Sequence, residues 1–281
     1  RYVRQVVYML QSTYIGTDIL ANNRARQDLL TDYLRRDAEV HPFQQMYSRP
    51  VKVRTCSCCG HTSGAASWKG WGKGERRALR PRCPVCGGVE RHRLLCLYLK
   101  SKTNYFREQF NVLEFTPFSK VMASNHFYTA ADLNPGSYGT DSVHAERIDI
   151  TKIPRHNDSF DFVIVSMILE HVLDERSAVT EVLRILKPGT GLAFFSVPID
   201  FRLEETIEEK AMNYEDLSAT HLLEKYGQKD HVRLYGRDFL ERWEKMGCSG
   251  ELVTPHSFLT RDDMQNYLLD IYDNIYLCRK K

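Results

Sequence analysis

The feature that most limits how this chain can fold is a cluster of thiols. Of its eight cysteines, five fall between Cys56 and Cys86, in the segments Cys56-Ser57-Cys58-Cys59-Gly60 and Cys83-Pro84-Val85-Cys86-Gly87. Taken as Cys56, Cys59, Cys83 and Cys86, they form two C-x2-C pairs separated by 23 residues. Two intervening residues let one tight turn aim both sulfurs at a single ion, and a glycine after each pair relieves the backbone that must fold around it. Four thiolates complete a closed tetrahedral zinc site with no open position for catalysis. Cys58 is the alternative to Cys59, and a pair of disulfides in an oxidising compartment is the alternative to metal. Residues 51–88 hold few aliphatic side chains, so a small module here needs such a staple. Cys96, Cys248 and Cys278 lie in apolar or strand-like contexts and read as buried, inert thiols.

The module is also basic. Residues 51–100 carry eleven Lys and Arg against Glu75 and Glu90, although the whole chain has a net charge of only +3. Such a block suits an anionic partner, and Lys69, Lys73, Arg76, Arg77, Arg80 and Arg82, with Trp68 and Trp71, fit a nucleic-acid surface. The opposing reading is that the Trp rings pack the module onto its neighbour, which the shortage of aliphatic core favours.

The length of 281 residues, with 42% hydrophobic and 27% charged content, suits one large domain plus a small module. Residues 1–50 read as a helical arm: Val3, Val6, Val7, Leu10, Tyr14 and then Ile19, Leu20, Leu29, Leu30, Tyr33 and Leu34 recur at three- and four-residue spacings. Residues 51–95 form the zinc-binding module. From residue 111 short apolar runs alternate with helical stretches, which predicts a parallel sheet in an α/β domain over residues 96–281. The expected strands are Asn111–Phe115, Phe127–Leu133, Phe160–Ser166 and Gly191–Val197, with a helix over Leu169–Leu186 stopped by Lys187-Pro188-Gly189. Residues 200–232 read as an acidic helical insertion, Arg237–Lys245 as a further helix, and Glu251–Thr254 and Asn274–Cys278 as late strands forming an antiparallel edge. No apolar run approaches the ~18 residues that span a bilayer. The chain opens with Arg1 and not Met, which points to a removed upstream segment; no signal peptide is visible, and a cytoplasmic location is the expectation.

The segments Asn111–Phe118 (NVLEFTPF), Thr129–Pro135 (TAADLNP), Arg147–Pro154 (RIDITKIP) and Ser159–Pro198 resemble, in order and spacing, the class I Rossmann-like S-adenosylmethionine-dependent methyltransferases. The resemblance implies a seven-stranded methyltransferase sheet. It also implies cofactor contacts from Glu114, Phe115 and Thr116, from Asp132 and Leu133, from Asp149 and Ile150, and from Ser166 and Met167. Physical chemistry supports two of these independently. A carboxylate at the carboxyl end of a parallel strand, as at Asp132 and Asp149, can accept hydrogen bonds from a ribose diol or cap a turn. The first loop departs from the family, because Glu114-Phe115-Thr116-Pro117-Phe118-Ser119 holds no glycine. Cys83–Leu95 (CPVCGGVERHRLL) and Gly227–Phe239 (GQKDHVRLYGRDF) narrow the resemblance to a zinc-knuckle-containing group known mainly from bacterial sequences.

Methyl transfer from a sulfonium is an in-line displacement, and a hydroxyl acceptor also needs a base. His231, in Asp230-His231-Val232-Arg233, and His171, in Glu170-His171-Val172, are the candidates. Arg91, Arg93 and Arg233 are candidate clamps for an anionic substrate group, with ion pairing to the acidic 204–216 stretch as the competing role. The expectation is therefore an S-adenosylmethionine-dependent methyltransferase acting on an oxygen of a small molecule or glycan, with structural zinc. A nucleic-acid methyltransferase or binding protein reading its partner through the basic module is the first rival. An inactive methyltransferase-fold scaffold is the second.

Overall fold

A computed structural model describes residues 53–64, 67–70, 81–118, 120–124, 127–135, 144–200, 203–211, 213–269 and 274–281. The expected N-terminal arm over residues 1–50 lies outside them. Two compact units divide the chain: a larger one of residues 51–169, 174–196 and 240–281, and a smaller one whose described parts are residues 170–173 and 197–239.

In the larger unit, β1 (Val53–Thr55) pairs with β2 (Thr62–Gly64), and β3 (Lys69–Gly70) with β4 (Pro81–Arg82), both antiparallel. Helix α1 (Glu90–Lys102) follows the second cysteine pair and buries Leu94, Leu95, Cys96 and Leu99. The main sheet then builds outward from β5 (Asn111–Phe115). On one side lie β6 (Phe127–Asp132) and β7 (Glu146–Arg147); on the other lie β8 (Phe162–Ser166) and β9 (Leu192–Ser196), all parallel. Between β8 and β9 runs α2 (Glu175–Ile185), which buries Ala178, Val179, Val182, Leu183 and Ile185. Its N-cap is Asp174, whose carboxylate accepts from Ser177 N at 2.9 Å. The helix ends before Lys187, which Pro188 bars from helical backbone.

After α4 (Phe239–Glu244; α3 belongs to the smaller unit) come β12 (Cys248–Val253), α5 (Arg261–Tyr267) and β13 (Ile275–Lys280). The seven strands are ordered β12-β13-β9-β8-β5-β6-β7, and β13 runs antiparallel to both its neighbours. The late strands are thus the predicted antiparallel pair, with β12 outermost. Without β13 the order is the doubly wound one, which changes direction at the central strand β5. Because both faces are covered, strand residues Val112, Leu113, Val163, Ile164, Val165, Ala193, Phe194 and Phe195 are all buried. That is why these strands read as continuous apolar runs.

Cys248 and Cys278 correct the expectation of inert thiols, because they form a disulfide between β12 and β13. Cys96 is a free, buried thiol as expected. The expected helix over Leu169–Leu186 is interrupted. A 3-10 turn over Leu169–His171 precedes the Asp174 cap, which starts α2 afresh.

In the smaller unit β10 (Ile207–Glu208) pairs antiparallel with β11 (Arg233–Leu234), and α3 (Ala219–Tyr226) packs Leu222 and Tyr226 on Leu234, Leu203 and Leu217. Among its described residues the acidic stretch is therefore helical only at α3 and a short 3-10 turn, Tyr214–Asp216. Glu209 shows why. Its partly buried carboxylate accepts from Lys225 Nζ (2.7 Å), Tyr226 Oη (2.8 Å) and His221 Nε2 (3.0 Å), pinning an extended segment to α3.

Candidate functional site

The two cysteine pairs fold alike. Cys56 N donates to His61 O (2.8 Å) and Gly60 N to Cys56 O (2.8 Å); Cys83 N donates to Gly88 O (2.9 Å) and Gly87 N to Cys83 O (3.0 Å). Gly60 and Gly87 take φ of +76° and +75°, the left-handed backbone that closes each turn. The turns bring Cys56, Cys59, Cys83 and Cys86 together with all sulfurs within 4.8 Å. Sulfur separations are 3.5 Å for Cys56–Cys86 and 3.7 Å for Cys59–Cys83. A tetrahedron with ~2.3 Å zinc–sulfur bonds has edges of about 3.8 Å, so the thiols already stand at zinc-binding spacing. Cys58 is not one of these four: its thiol donates to His92 O at 3.3 Å and borders the set through Cys56 and Cys86. Hydrogen bonds from Cys58 and Cys86 hold the Cys56 thiol far below the ordinary range, toward thiolate.

A cleft opens at the carboxyl ends of the central strands, lined by Glu114, Phe118, Ser166, Ser196, Arg91 and Asn274 among others. It lies at the switch point where a doubly wound sheet takes its ligand. Two residues there depart from ordinary backbone. Thr116 (φ +54°), just past β5, and Met167 (φ +56°), just past β8, are left-handed without being glycine. For a β-branched residue such as threonine this is strained. Thr116 is held by its N–H to Ala131 O (3.0 Å) and its hydroxyl to Phe115 O and Ser166 O (both 2.7 Å). Glu114 is buried beneath the loop. It accepts from Tyr128 Oη and from the Phe118 N–H, and burial pushes its carboxyl up to about 8. The Phe118 ring stacks on His92 of α1, centroids 3.7 Å apart and nearly parallel.

Asp132, at the end of β6, is nearly buried, and its Oδ1 accepts from Asn134 N at 2.6 Å. Leu133 beside it is 53% exposed, an apolar surface at the strand end. Asp149 is exposed, and its Oδ1 accepts from both N and Oγ1 of Thr151 at 2.8 Å, the turn-capping geometry weighed from sequence. Ile150 and Phe115 point into the core, so only their backbone reaches a ligand at this edge. Ser166 and Met167 are partly exposed.

The smaller unit joins the two histidines. The His171 and His231 rings meet edge to face, centroids 4.7 Å apart. Burial, reinforced by neighbouring His171, lowers the His231 imidazole to about 4. It is neutral at physiological pH but a weaker proton acceptor than a group poised near 7. His171 is partly exposed, with Nδ1 3.1 Å from Asp230 O.

Two of the three candidate clamp arginines face the protein's own backbone carbonyls. Arg93 is fully buried and donates to the carbonyls of Tyr267 (2.7 Å), Leu268 (2.7 Å), Pro81 (2.9 Å) and Gly88 (3.1 Å), tying the cysteine turns to α1 and α5. Arg233 in the smaller unit is 2% exposed, donates to Val172 O and Leu173 O and stands 3.5 Å from Glu208, the competing ion pair considered above. Arg91 does line the cleft. Trp68 is buried, its indole donating to Ser63 Oγ at 3.0 Å and its ring beneath Arg93, so it packs the module. Trp71, Lys73, Arg76, Arg77 and Arg80 lie outside the described residues. Sequence reasoning missed Tyr128, His92 and Ser196. Only the parallel register, which sets Tyr128 opposite Val112 and two residues from Glu114, reveals the first.

Known proteins are similar to parts of this chain. Residues 116–194 match the family described as methyltransferase domain. A demethylmenaquinone methyltransferase from Clavibacter sepedonicus is 34% identical over 93 residues, covering 30% of this chain; the chain spans 38% of that relative's length. Among solved structures, an S-adenosylmethionine-dependent methyltransferase from Mesorhizobium loti is 17% identical (TM-score 0.42; 66% of this chain, 98% of that one). A Haemonchus contortus phosphoethanolamine N-methyltransferase 2 in complex with S-adenosyl-L-methionine is 13% identical (TM-score 0.42; 71% and 54%). Among the described residues no helix is long and apolar enough to cross a membrane. The match over residues 116–194 falls on the doubly wound seven-stranded sheet, from the loop after β5 into β9.

Proposed function

We propose that the protein transfers a methyl group from S-adenosylmethionine to a hydroxyl oxygen of a small molecule or glycan. The observation that carries the reading is the strand-end cleft. An acidic residue ends β6, and strained, non-glycine turns leave β5 and β8 at the switch point. S-adenosylmethionine supplies a methyl group on a positively charged sulfur. In this reading Asp132 accepts from its ribose hydroxyls, and Leu133, Asp149 and Ile150 border its adenine. The backbone at Phe115, Thr116, Ser166 and Met167, with Glu114 beneath it, shapes the rest of its bed. Thr116 does the work of a glycine there, because its left-handed backbone turns the loop while its hydroxyl fastens β5 to β8. Arg91, at the cleft wall, is the clamp this reading assigns to an anionic group.

As the bases we assign His171 and His231. Both offer a neutral lone pair to a hydroxyl that must lose its proton as the new carbon–oxygen bond forms and the carbon–sulfur bond breaks. Cys56, Cys59, Cys83 and Cys86 hold a structural zinc ion, since their spacing fits a closed tetrahedral site. The division into an arm (1–50), a zinc module (51–95) and a methyltransferase domain (96–281) is part of this proposal.

The test is transfer of labelled methyl from S-adenosylmethionine to panels of hydroxyl-bearing small molecules and glycans, with RNA and DNA alongside. Label on an oxygen of the first two panels supports the reading. Label on nucleic acid alone replaces it with the nucleic-acid alternative, and none on any acceptor despite cofactor binding counts against an oxygen acceptor.

A further inference from the structure

Within the smaller unit, three metal-ligating side chains converge from two segments 60 residues apart. Glu170 and His171 lie in the turn over Leu169–His171, and His231 lies just before β11. One donor atom from each falls within 4.8 Å of the other two. Glu170 is fully buried and His231 nearly so, while His171 keeps a path to solvent.

The surroundings are those of a ligand set rather than a chance cluster. His171 Nδ1 faces Asp230 twice, at 3.1 Å from its carbonyl and 3.5 Å from its carboxylate. An imidazole whose Nδ1–H is engaged this way presents its Nε2 lone pair outward, the arrangement that orients histidine ligands of metals. Both segments are fastened to each other. Val232 N donates to Glu170 O (2.8 Å), Tyr214 Oη donates to His171 O (2.7 Å) and accepts from Leu173 N (3.0 Å), and Arg233 donates to Val172 O and Leu173 O. The triad therefore sits on a backbone fixed from both sides.

We propose that Glu170, His171 and His231 bind one divalent first-row metal ion, separate from the four-cysteine site. Two imidazoles and one carboxylate are the donor set that takes such ions with coordination positions left open. Ligand bonds of roughly 2.0–2.2 Å place neighbouring donors about 3 Å apart, which side-chain rotation reaches from the present spacing. The role of the site deepens the acceptor assignment above and rests on it: with the ion bound, His171 and His231 act as its ligands in place of acting as the base, and an open position on the ion takes the hydroxyl oxygen and lowers its pKa. The metal binding itself does not depend on that reading.

The experiment is titration of the zinc-loaded full chain with Mn2+, followed by the electron paramagnetic resonance of the free ion. Mn2+ prefers oxygen and nitrogen to thiolate and leaves the cysteine site alone. One saturable Mn2+ per chain is expected. His171→Ala and His231→Ala should each weaken it by at least about tenfold, while zinc content and circular dichroism stay as in the wild type. Because His231 is buried, the partly exposed His171 keeps the test valid should His231→Ala fail to fold. No saturable binding up to millimolar Mn2+, or His171→Ala binding like wild type, overturns the site. Titration of the same samples with S-adenosylhomocysteine separates the two ideas. Mn2+ binding without it sinks only the methyltransferase reading, and the converse sinks only the metal site.

Discussion

The Thr116 loop offers a test in which the sign of an effect is more informative than its size. Thr116 sits at φ +54°, and its hydroxyl bonds Phe115 O and Ser166 O. A non-glycine residue in this region costs about 1–2 kcal/mol, and a hydrogen bond of this kind contributes about 1 kcal/mol. Thr116→Ala removes the bond and keeps the strain, so it should destabilise by about 1 kcal/mol. Thr116→Gly removes both but adds unfolded-chain freedom worth about 0.5–1 kcal/mol, which leaves it within about 1 kcal/mol of the wild type. Glycine should therefore be at least as stable as alanine at this position, by up to about 1.5 kcal/mol, the reverse of the order at an ordinary site. Urea denaturation at constant m-value reads both variants. An alanine variant more stable than the glycine variant would refute the claim that the loop stores strain.

Stripping the zinc, or Cys83→Ser, should unfold the module, because strands of two and three residues cannot hold it alone. Loss of one zinc per chain and a fall in Tm of more than about 10 °C are expected, and an unchanged Tm in the metal-free protein would contradict the assignment. Glu114 gives a pH signature. Its folded pKa is raised from 4.5 to about 8, so its stabilising share is complete below 4.5 and is lost as pH climbs through about 8. Glu114→Gln should flatten that decline in denaturation midpoints measured from pH 4.5 to 8. Glu209 has the opposite sign. Burial works against its charge, but Lys225, Tyr226 and His221 hold it at about 2, so its contribution is present above 4.5 and fades as pH falls toward 2. Glu209→Gln should lower stability at neutral pH and blunt the acid loss, read by urea midpoints across that range.

Much of the architecture is readable from the chain because parallel strands buried on both faces leave unbroken apolar runs. Asn111–Phe115 is observed as expected, and the other central strands are within two residues of expectation. The knuckle glycines were legible for the same kind of reason, since only a left-handed residue closes those turns. What sequence could not show depends on partners distant along the chain. Nothing local distinguishes an arginine that meets an anion from Arg93, whose guanidinium faces four backbone carbonyls. The Cys248–Cys278 bond needs the β12–β13 register, which sets Gly250 opposite Cys278. The acidic stretch looks helical until Glu209 is seen paired to α3. Glu170 carries no legible role in the sequence, because its meeting with His231 exists only in the fold.

The central claim is that the strand-end cleft binds S-adenosylmethionine through Asp132. Calorimetric titration of the zinc-loaded protein with S-adenosylhomocysteine, in wild type and Asp132→Ala, tests it most directly. The account predicts saturable one-to-one binding in the wild type and a loss of at least about tenfold in the variant, the 1.4 kcal/mol expected for charge-assisted bonds to a ribose. Absence of binding at millimolar ligand, or equal affinity in both proteins, would contradict it.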